Sequence, residues 1–234
     1  ARALAFDSVP SDEEITHEIR RTLQANGMID GVHIRLTLTR GVKITSGMDP
    51  RLNQSGPTLI VLAEHKPPVY DAAGITLITS SMRRAAPDSL DPKIHHNNLL
   101  TSILAKIQAN AAGADDALML DHRGFVAETN ATNIFLVTEG VLGTPSPAAC
   151  PEGITRGAVL ELAAGAGIAS VVGDYSLTQL YAADELFVTG TMGGIAPVIS
   201  LDGRQVGDGS PGTVTLRLTK LLAELTASTG TPVA

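Results

Sequence analysis

An amine and a carboxylate in the middle of the chain could carry out chemistry together. Lys93 follows a proline, and Glu128 lies further on, directly before the small and polar run Thr129–Asn133. A lysine amine becomes a nucleophile or a base only after it loses its proton, and partial desolvation beside another cation favours that loss. A lysine or a strand-end glutamate taken alone is usually a solvated residue. Together they predict one site on neighbouring elements.

The elements that would position this pair are a helix and three strands. A helical pattern opens at Pro92–Asn98 and ends near Gly113. Apolar runs bounded by turn residues then predict strands. The predicted strands are Ala117–Asp121, Gly124–Glu128 and Ile134–Val137.

Two glycine-bearing segments could bind an anion. Gly153, Ile154 and Thr155 stand at the start of a predicted helix, where free N–H groups and the helix dipole favour negative charge. Gly190 and Thr191 follow a predicted buried strand, and glycine lets backbone approach a ligand closely. Each segment alone is more often a simple cap or turn.

Four motifs in this order resemble those of the class IV aminotransferases, the fold type IV enzymes that use pyridoxal 5′-phosphate (PLP). That family includes branched-chain aminotransferases, D-amino-acid aminotransferases and aminodeoxychorismate lyases. The resemblance covers nearly the whole chain. Its motifs are Lys93 with Asn97 and Leu99, then Glu128–Phe135, Gly153–Arg156 and Thr189–Met192.

The resemblance implies a role for each of these segments. Lys93 would hold PLP as a Schiff base and move the proton during transfer, and Glu128 would keep the pyridine nitrogen protonated. Asn133 would position Glu128 and nearby backbone. Backbone at the end of the last motif would meet the substrate carboxylate. The implied cofactor-binding residues are Lys93, Glu128, Asn133, Gly153, Ile154, Thr155, Gly190 and Thr191, and the backbone of Thr191 and Met192 is implied for substrate.

The substrate carboxylate also needs an arginine anchor, for which the sequence offers two main candidates. Arg35 resembles the arginine of branched-chain enzymes, and Arg51 resembles the loop arginine of D-amino-acid enzymes. Asn98 stands where branched-chain members have a tyrosine. We therefore expect a ping-pong transaminase that prefers D-amino acids with a 2-oxo acid. The alternatives are a branched-chain L-amino-acid transaminase, an aminodeoxychorismate lyase or a cofactor-free fragment.

The expected fold is α/β (α+β), a two-domain fold type IV PLP enzyme similar to D-amino-acid aminotransferase, and by resemblance a homodimer. Residues 1–81 would be the remainder of a small domain whose N-terminal strands are apparently absent. A linker at 82–92 would lead to a large cofactor-binding domain at 93–234, with Arg83 and Arg84 on a solvated surface or at the junction.

Cys150 replaces the family's usual leucine at the cofactor ring. The face of the lysine-bearing helix is expected to be core, formed by Leu99, Ile103, Leu104 and Ile107.

Composition limits the class of protein. The chain has 234 residues, 44% of them apolar, and a net charge of −7 without a basic cluster, which argues against nucleic acid or an anionic membrane as partner. No apolar run reaches membrane-spanning length, and the single cysteine fits a reducing, cytoplasmic location.

His95 and His96 have no acidic or thiol partner at ligand spacing, so we expect no metal.

Overall fold

The computed structural model describes residues 1–67 and 69–233, which form two compact units. The first unit contains the residues up to Pro67 together with the C-terminal segment from Gly230. The second unit follows and ends at Thr229. Within the described residues, no helix has the length and apolar character needed to cross a membrane.

The first unit contains a helix and a two-stranded sheet. Helix α1 is Asp12–Ala25, and strands β1 (Val32–Thr39) and β2 (Thr58–His65) pair antiparallel. A capping box begins α1, since Ser11 Oγ accepts from the backbone N–H of Glu14 and the glutamate side chain accepts from the backbone N–H of Ser11. These bonds satisfy N–H groups that the first helical turn cannot pair internally. Short 3-10 helices also occur at Arg2–Leu4 and Pro50–Leu52.

The second unit is built around a nine-stranded mixed sheet. In space the strands run β5-β4-β3-β10-β9-β6-β7-β8, and β11 pairs with β10. The pairs β3–β4, β3–β10 and β7–β8 are parallel, and the remaining pairs are antiparallel. The elements in chain order are β3 Ile75–Arg83, α2 Pro87–Leu90, α3 Leu100–Ala111, β4 Asp116–Leu120, β5 Val126–Thr129, β6 Asn133–Thr138, β7 Val141–Pro145, α4 Ile154–Gly165, β8 Ser170–Gly173, α5 Leu177–Tyr181, β9 Glu185–Gly190, β10 Gly194–Leu201, β11 Arg204–Gln205 and α6 Thr213–Ser228.

The core of this unit lies on both faces of the central strands. On one face Phe135 of β6 stacks on Phe187 of β9, with ring centroids 4.9 Å apart, and Val159 of α4 and Leu218 of α6 pack against them. At the N-terminus of α6, Glu185 accepts hydrogen bonds from the backbone of the first turn. This packing holds α4 and α6 against β6 and β9, and the hydrogen bonds of Glu185 also fix α6. The ends of β6 and β9 carry several of the candidate site residues.

Strand β3 lies in the large sheet, although the sequence places it in the first domain. Its residues pair with β10 on one side, as Ile75 with Val198, and with β4 on the other, as Leu77 with Asp116. The division into compact units therefore falls earlier in the chain than the predicted linker at 82–92. A parallel partner more than a hundred residues away leaves no mark in the local pattern from which the linker was predicted.

The prediction that one face of α3 is core is wrong. Leu104 is 38% exposed and Ile103 and Ile107 are each more than half exposed, whereas Ala105 and Ala109 are fully buried. The small side chains let the helix approach β3 and β4 closely. The larger ones form an exposed apolar row at helical spacing, with Leu99 and Leu100 at its N-terminal end.

Candidate active site

Glu128 is a buried carboxylate that is paired with a largely buried arginine. It lies in β5 with 6% of its surface exposed, and its Oε1 is 2.7 Å from Nη2 of Arg84. Two further donors of Arg84 reach Oγ of Ser102 at 3.0 Å and the carbonyl of Ala149 at 3.5 Å. Of the two places predicted for Arg84, a solvated surface or the junction of the domains, the first is wrong.

Burial, more than the pairing with Arg84, shifts the pKa of Glu128. It raises the pKa of this carboxyl to about 7, and the charge of Arg84 opposes the rise. A carboxyl whose pKa is raised this far responds to any charge placed beside it. Strongly shifted carboxyls of this kind are typical of functional sites.

Lys93 lies in a turn ahead of α3, and the prediction that it opens the helix is wrong. The helix begins at Leu100. The intervening run contains a β-branched residue, two histidines and two asparagines, all of which favour helix less than alanine or leucine does. Nζ of Lys93 is 3.7 Å from Oδ1 of Asp91 and its side chain is 43% exposed, so the amine is accessible to a ligand.

Cys150 marks the point where the charged groups meet. Its thiol is buried, and its pKa is raised to about 12, first by burial and then by the charge of Glu128. The charges of Arg156, Arg84 and Lys93 act on the same thiol in the opposite direction. The charges of Lys93 and Glu128 thus both influence the pKa of this thiol, from two different segments of the chain.

Asn133 holds the loop before α4. Its Nδ2 donates to the carbonyl of Pro151 at 3.1 Å and lies 3.9 Å from Sγ of Cys150. Gly153 has φ +73°, and a Cβ placed there would lie 2.0 Å from Oδ1 of Asn133. The amide thus holds the backbone of this loop, and the close approach requires glycine at 153.

Helix α4 begins with open donors. Gly153 is the N-cap, no side chain caps the helix, and its first turn contains no acidic residue. Ile154 is 90% exposed and Thr155 is partly buried. The first N–H groups of a helix have no internal partner, so this start can receive an anion.

The second glycine segment lies at the ends of two neighbouring strands. Thr189 of β9 pairs with Asn133 of β6, and residues paired across antiparallel strands project to the same face. Its hydroxyl is buried and has no hydrogen-bond partner. Gly190 ends β9, and the turn that follows exposes Thr191 and Met192. Thr189 therefore lies beside Asn133, which bonds to the loop before α4, on one face of the sheet.

The two candidate substrate arginines lie in the first unit. Arg35 is in β1 opposite Leu62 of β2, and it is exposed. Arg51 lies in the short 3-10 helix Pro50–Leu52, where its guanidinium donates to both carboxylate oxygens of Asp49. This contact lowers the pKa of Asp49. In this structure Arg51 therefore binds the carboxylate of Asp49, a residue of its own loop.

Sequence reasoning missed Arg84, Arg156 and the orphan hydroxyl of Thr189. The signal for Arg156 was a basic residue in the first turn of a predicted helix, where acidic residues are favoured. The contact of Arg84 with Glu128 depends on the pairing of β3, β4 and β5, which local patterns do not specify. No cluster of potential metal ligands occurs among the described residues.

The residues of the second unit fit PLP. An accessible amine at Lys93, a buried carboxyl at Glu128 and an uncapped helix start at α4 match its aldehyde, ring nitrogen and phosphate. The orphan hydroxyl of Thr189 has the chemistry to donate a hydrogen bond to a phosphate.

The comparisons with known proteins agree with this chemistry. The family model described as amino-transferase class IV matches residues 1–201. The branched-chain-amino-acid aminotransferase-like protein 2 of Arabidopsis thaliana is 53% identical over the whole chain, which spans 42% of that relative. The putative branched-chain-amino-acid aminotransferase of Methanocaldococcus jannaschii is 41% identical over 98% of this chain and 79% of its own.

A solved structure has the same fold. It is a branched-chain amino acid aminotransferase of T.th. complexed with N-(5′-phosphopyridoxyl)-L-glutamate, with a TM-score of 0.88 and 35% identity over 96% of this chain and 74% of that one. The chain belongs to the class IV aminotransferases, a family of PLP enzymes with the mixed α/β fold that the sequence predicts. It spans less than half the length of its Arabidopsis relative.

Proposed function

We propose that this chain carries the catalytic lysine and the PLP-holding residues of a transaminase that moves an amino group from a branched-chain L-amino acid to a 2-oxo acid. The observations that carry the proposal are the accessible amine of Lys93 just before α3 and the buried carboxylate of Glu128, whose partner Arg84 also contacts Ser102 of α3. PLP, when bound, supplies an aldehyde that joins to amines and a protonated ring that takes up an electron pair from the substrate.

Lys93 has two roles in this proposal. Its Nζ would hold PLP at the aldehyde carbon. As a free amine, the same Nζ would accept the proton from the substrate's α-carbon and return it. Only an uncharged amine can accept a proton. In this structure Nζ of Lys93 lies 3.7 Å from Oδ1 of Asp91, and a nearby carboxylate favours the charged form of the amine.

Glu128 and Arg84 act together on the ring side of the site. With PLP bound, the carboxylate would accept a hydrogen bond from the protonated ring nitrogen, which requires Glu128 to be ionised. Arg84 favours the ionised form by its charge at 2.7 Å. The start of α4, with Gly190 and Thr191, binds the phosphate, and the backbone of Thr191 and Met192 meets the substrate carboxylate.

The relatives favour a branched-chain substrate over the D-amino-acid preference predicted from the sequence. The curated relatives reported above are named for branched-chain amino acids. Arg51, on which the D-amino-acid prediction partly rested, binds Asp49. Arg35, the anchor implied for branched-chain enzymes, lies exposed in β1.

Donor choice tests this proposal. Purified protein supplied with PLP and 2-oxoglutarate is assayed for glutamate formation with L-leucine, L-valine and D-alanine as donors. Transfer from the L-amino acids and not from D-alanine is expected. Transfer from D-alanine alone would restore the D-amino-acid prediction, and release of pyruvate from aminodeoxychorismate without a 2-oxo acid would indicate a lyase.

We also propose that the chain pairs with a second copy through α3. The exposed apolar row on this helix comprises Leu99, Leu100, Ile103, Leu104 and Ile107. The helix itself contains one charged residue, Lys106, although the chain carries a net charge of −7. An uncharged apolar face on a strongly charged protein suits self-association, since it brings few like charges together.

A further inference from the structure

Arg156 is a buried cation that is bonded only to neutral groups. It is 6% exposed and lies in the first turn of α4. Its guanidinium donates to Oγ1 of Thr144 at 3.2 Å, to the carbonyl of Pro145 at 3.0 Å and to the carbonyl of Glu152 at 3.4 Å. None of the ion pairs found among the described residues includes it.

This placement is unfavourable unless an anion is nearby. The N-terminus of a helix already carries positive partial charge, so a cation in its first turn is disfavoured. Burial without an ion pair adds a desolvation cost. Burial is the largest influence on the pKa of Arg156 and lowers it, while the charges of Cys150 and Glu152 act in the opposite direction.

The groups around the same turn are arranged to receive that anion. The first N–H groups of α4 have no cap. The hydroxyl of Thr189 is 1% exposed, has no partner and lies on the face of the sheet from which Asn133 reaches the loop before α4. Open N–H groups, an orphan hydroxyl and an unpaired guanidinium around one turn match a phosphate dianion.

We propose that Arg156 is a positioning residue for a phosphate group bound at the turn Gly153–Thr155. Its bonds to Pro145 and Glu152 fix the loop that leads into the turn. Its unpaired charge makes the turn selective for a doubly negative group. The inference deepens the proposed function and rests on it, because the phosphate is that of PLP.

The test compares cofactors with and without the phosphate. Dissociation constants for PLP and for pyridoxal are measured by visible absorbance in wild-type protein, R156Q, R156K and T144V. R156Q should weaken PLP binding by about tenfold or more and pyridoxal binding by less than about twofold. R156K keeps the positive charge but loses the planar guanidinium and its several N–H donors. Its ratio of PLP affinity to pyridoxal affinity should lie between those of the wild type and R156Q.

Thr144→Val is the matched control, because it removes one contact of Arg156 from the same buried cluster and leaves the charge in place. It should weaken both ligands equally, if at all. An unchanged ratio of PLP to pyridoxal affinity in R156Q would overturn the proposal and leave Arg156 a purely structural residue.

A second measurement separates this inference from the proposed function. Inorganic phosphate should raise the thermal unfolding temperature of the wild type and of T144V, and have little effect on R156Q. Equal protection of the wild type and R156Q, or no protection of either, would overturn the role of Arg156. Phosphate protection of the wild type without any adduct from PLP would reject the proposed function and leave the phosphate site standing.

Discussion

Nη2 of Arg84 lies 2.7 Å from Oε1 of Glu128, and only 15% and 8% of the two side chains are exposed. The arginine follows the end of β3 and the glutamate lies in β5, with β4 between the two strands in the sheet. Arg84 also contacts Ser102 of α3. The contact therefore joins the sheet that carries the carboxylate to the helix that follows Lys93.

Replacing Arg84 with Met should impair the site through Glu128. Without the arginine charge the pKa of Glu128 should rise above about 7. Each unit of rise lowers its ionised fraction at pH 7 by up to about tenfold. We expect kcat to fall by about that factor or more, with partial recovery as the pH is raised.

The neighbouring Arg83 offers a control for that experiment. It is exposed and donates to the backbone of Ser80, so Arg83→Met removes the same charge without touching Glu128. A pH profile of kcat that is the same for Arg84→Met and Arg83→Met would contradict the role assigned to the pair of Arg84 and Glu128.

The raised pKa of Glu128 should also appear in the stability of the cofactor-free protein. Between the ordinary pKa of 4.5 and about 7 the folded protein holds a proton that the unfolded chain has released. The free energy of unfolding should therefore fall as the pH rises through this range, by at most on the order of 3 kcal/mol. Denaturant titrations of wild type and Glu128→Gln should differ in this slope. Glu139→Gln, at an exposed position, is the control, and a slope retained in Glu128→Gln would disprove the assignment.

The sequence pointed to only one member of this pair, the carboxylate of Glu128. Motif resemblance pointed to Glu128, which the structure buries. Its partner Arg84 was predicted on a solvated surface or at the domain junction, because it lies in a proline-bearing segment without clear periodicity. Which arginine meets which carboxylate depends on strand order, and β3 owes its place in the sheet to β10, far along the chain.

Gly153→Ala should damage the turn before α4. The added Cβ would lie 2.0 Å from Oδ1 of Asn133, in a backbone with φ +73° that alanine rarely adopts. We expect a loss of about 1 to 3 kcal/mol in the free energy of unfolding, together with weaker PLP binding.

Gly157→Ala is the matched control within the same helix. A Cβ at this position meets nothing within 4 Å, and alanine favours helix over glycine. It should leave stability unchanged or raise it by up to about 1 kcal/mol. Equal destabilisation by both substitutions would show that the close contact with Asn133 does not govern this turn.

Ile103→Glu should break the proposed pairing of chains. Ile103 is 54% exposed at the centre of the apolar row on α3. Light scattering after size exclusion should report twice the chain mass for the wild type and a single chain mass for the variant. Leu216→Glu places the same charge at a leucine of α6 that is also 54% exposed, and it should stay paired. A wild type that is a monomer at micromolar concentration would contradict the proposal.

Helix α3 shows how far an apolar pattern can be interpreted. The spacing of Ile103, Leu104 and Ile107 correctly predicts a helix with one apolar face. It does not say what covers that face, and here the alanines pack inward and the larger side chains remain exposed. Periodicity alone could not place Lys93 outside the helix either, since the weak helix formers after it follow no pattern of their own.

The central claim is that Lys93 holds the cofactor, and chemical trapping tests it most directly. The protein is incubated with PLP, its visible spectrum is recorded, and the adduct is reduced with borohydride and mapped by peptide mass spectrometry. The account predicts a pyridoxyl group on Lys93 that is absent in Lys93→Ala and retained in Lys220→Ala, a substitution of an exposed lysine of α6. Modification confined to another lysine, or no adduct in the wild type, would contradict it.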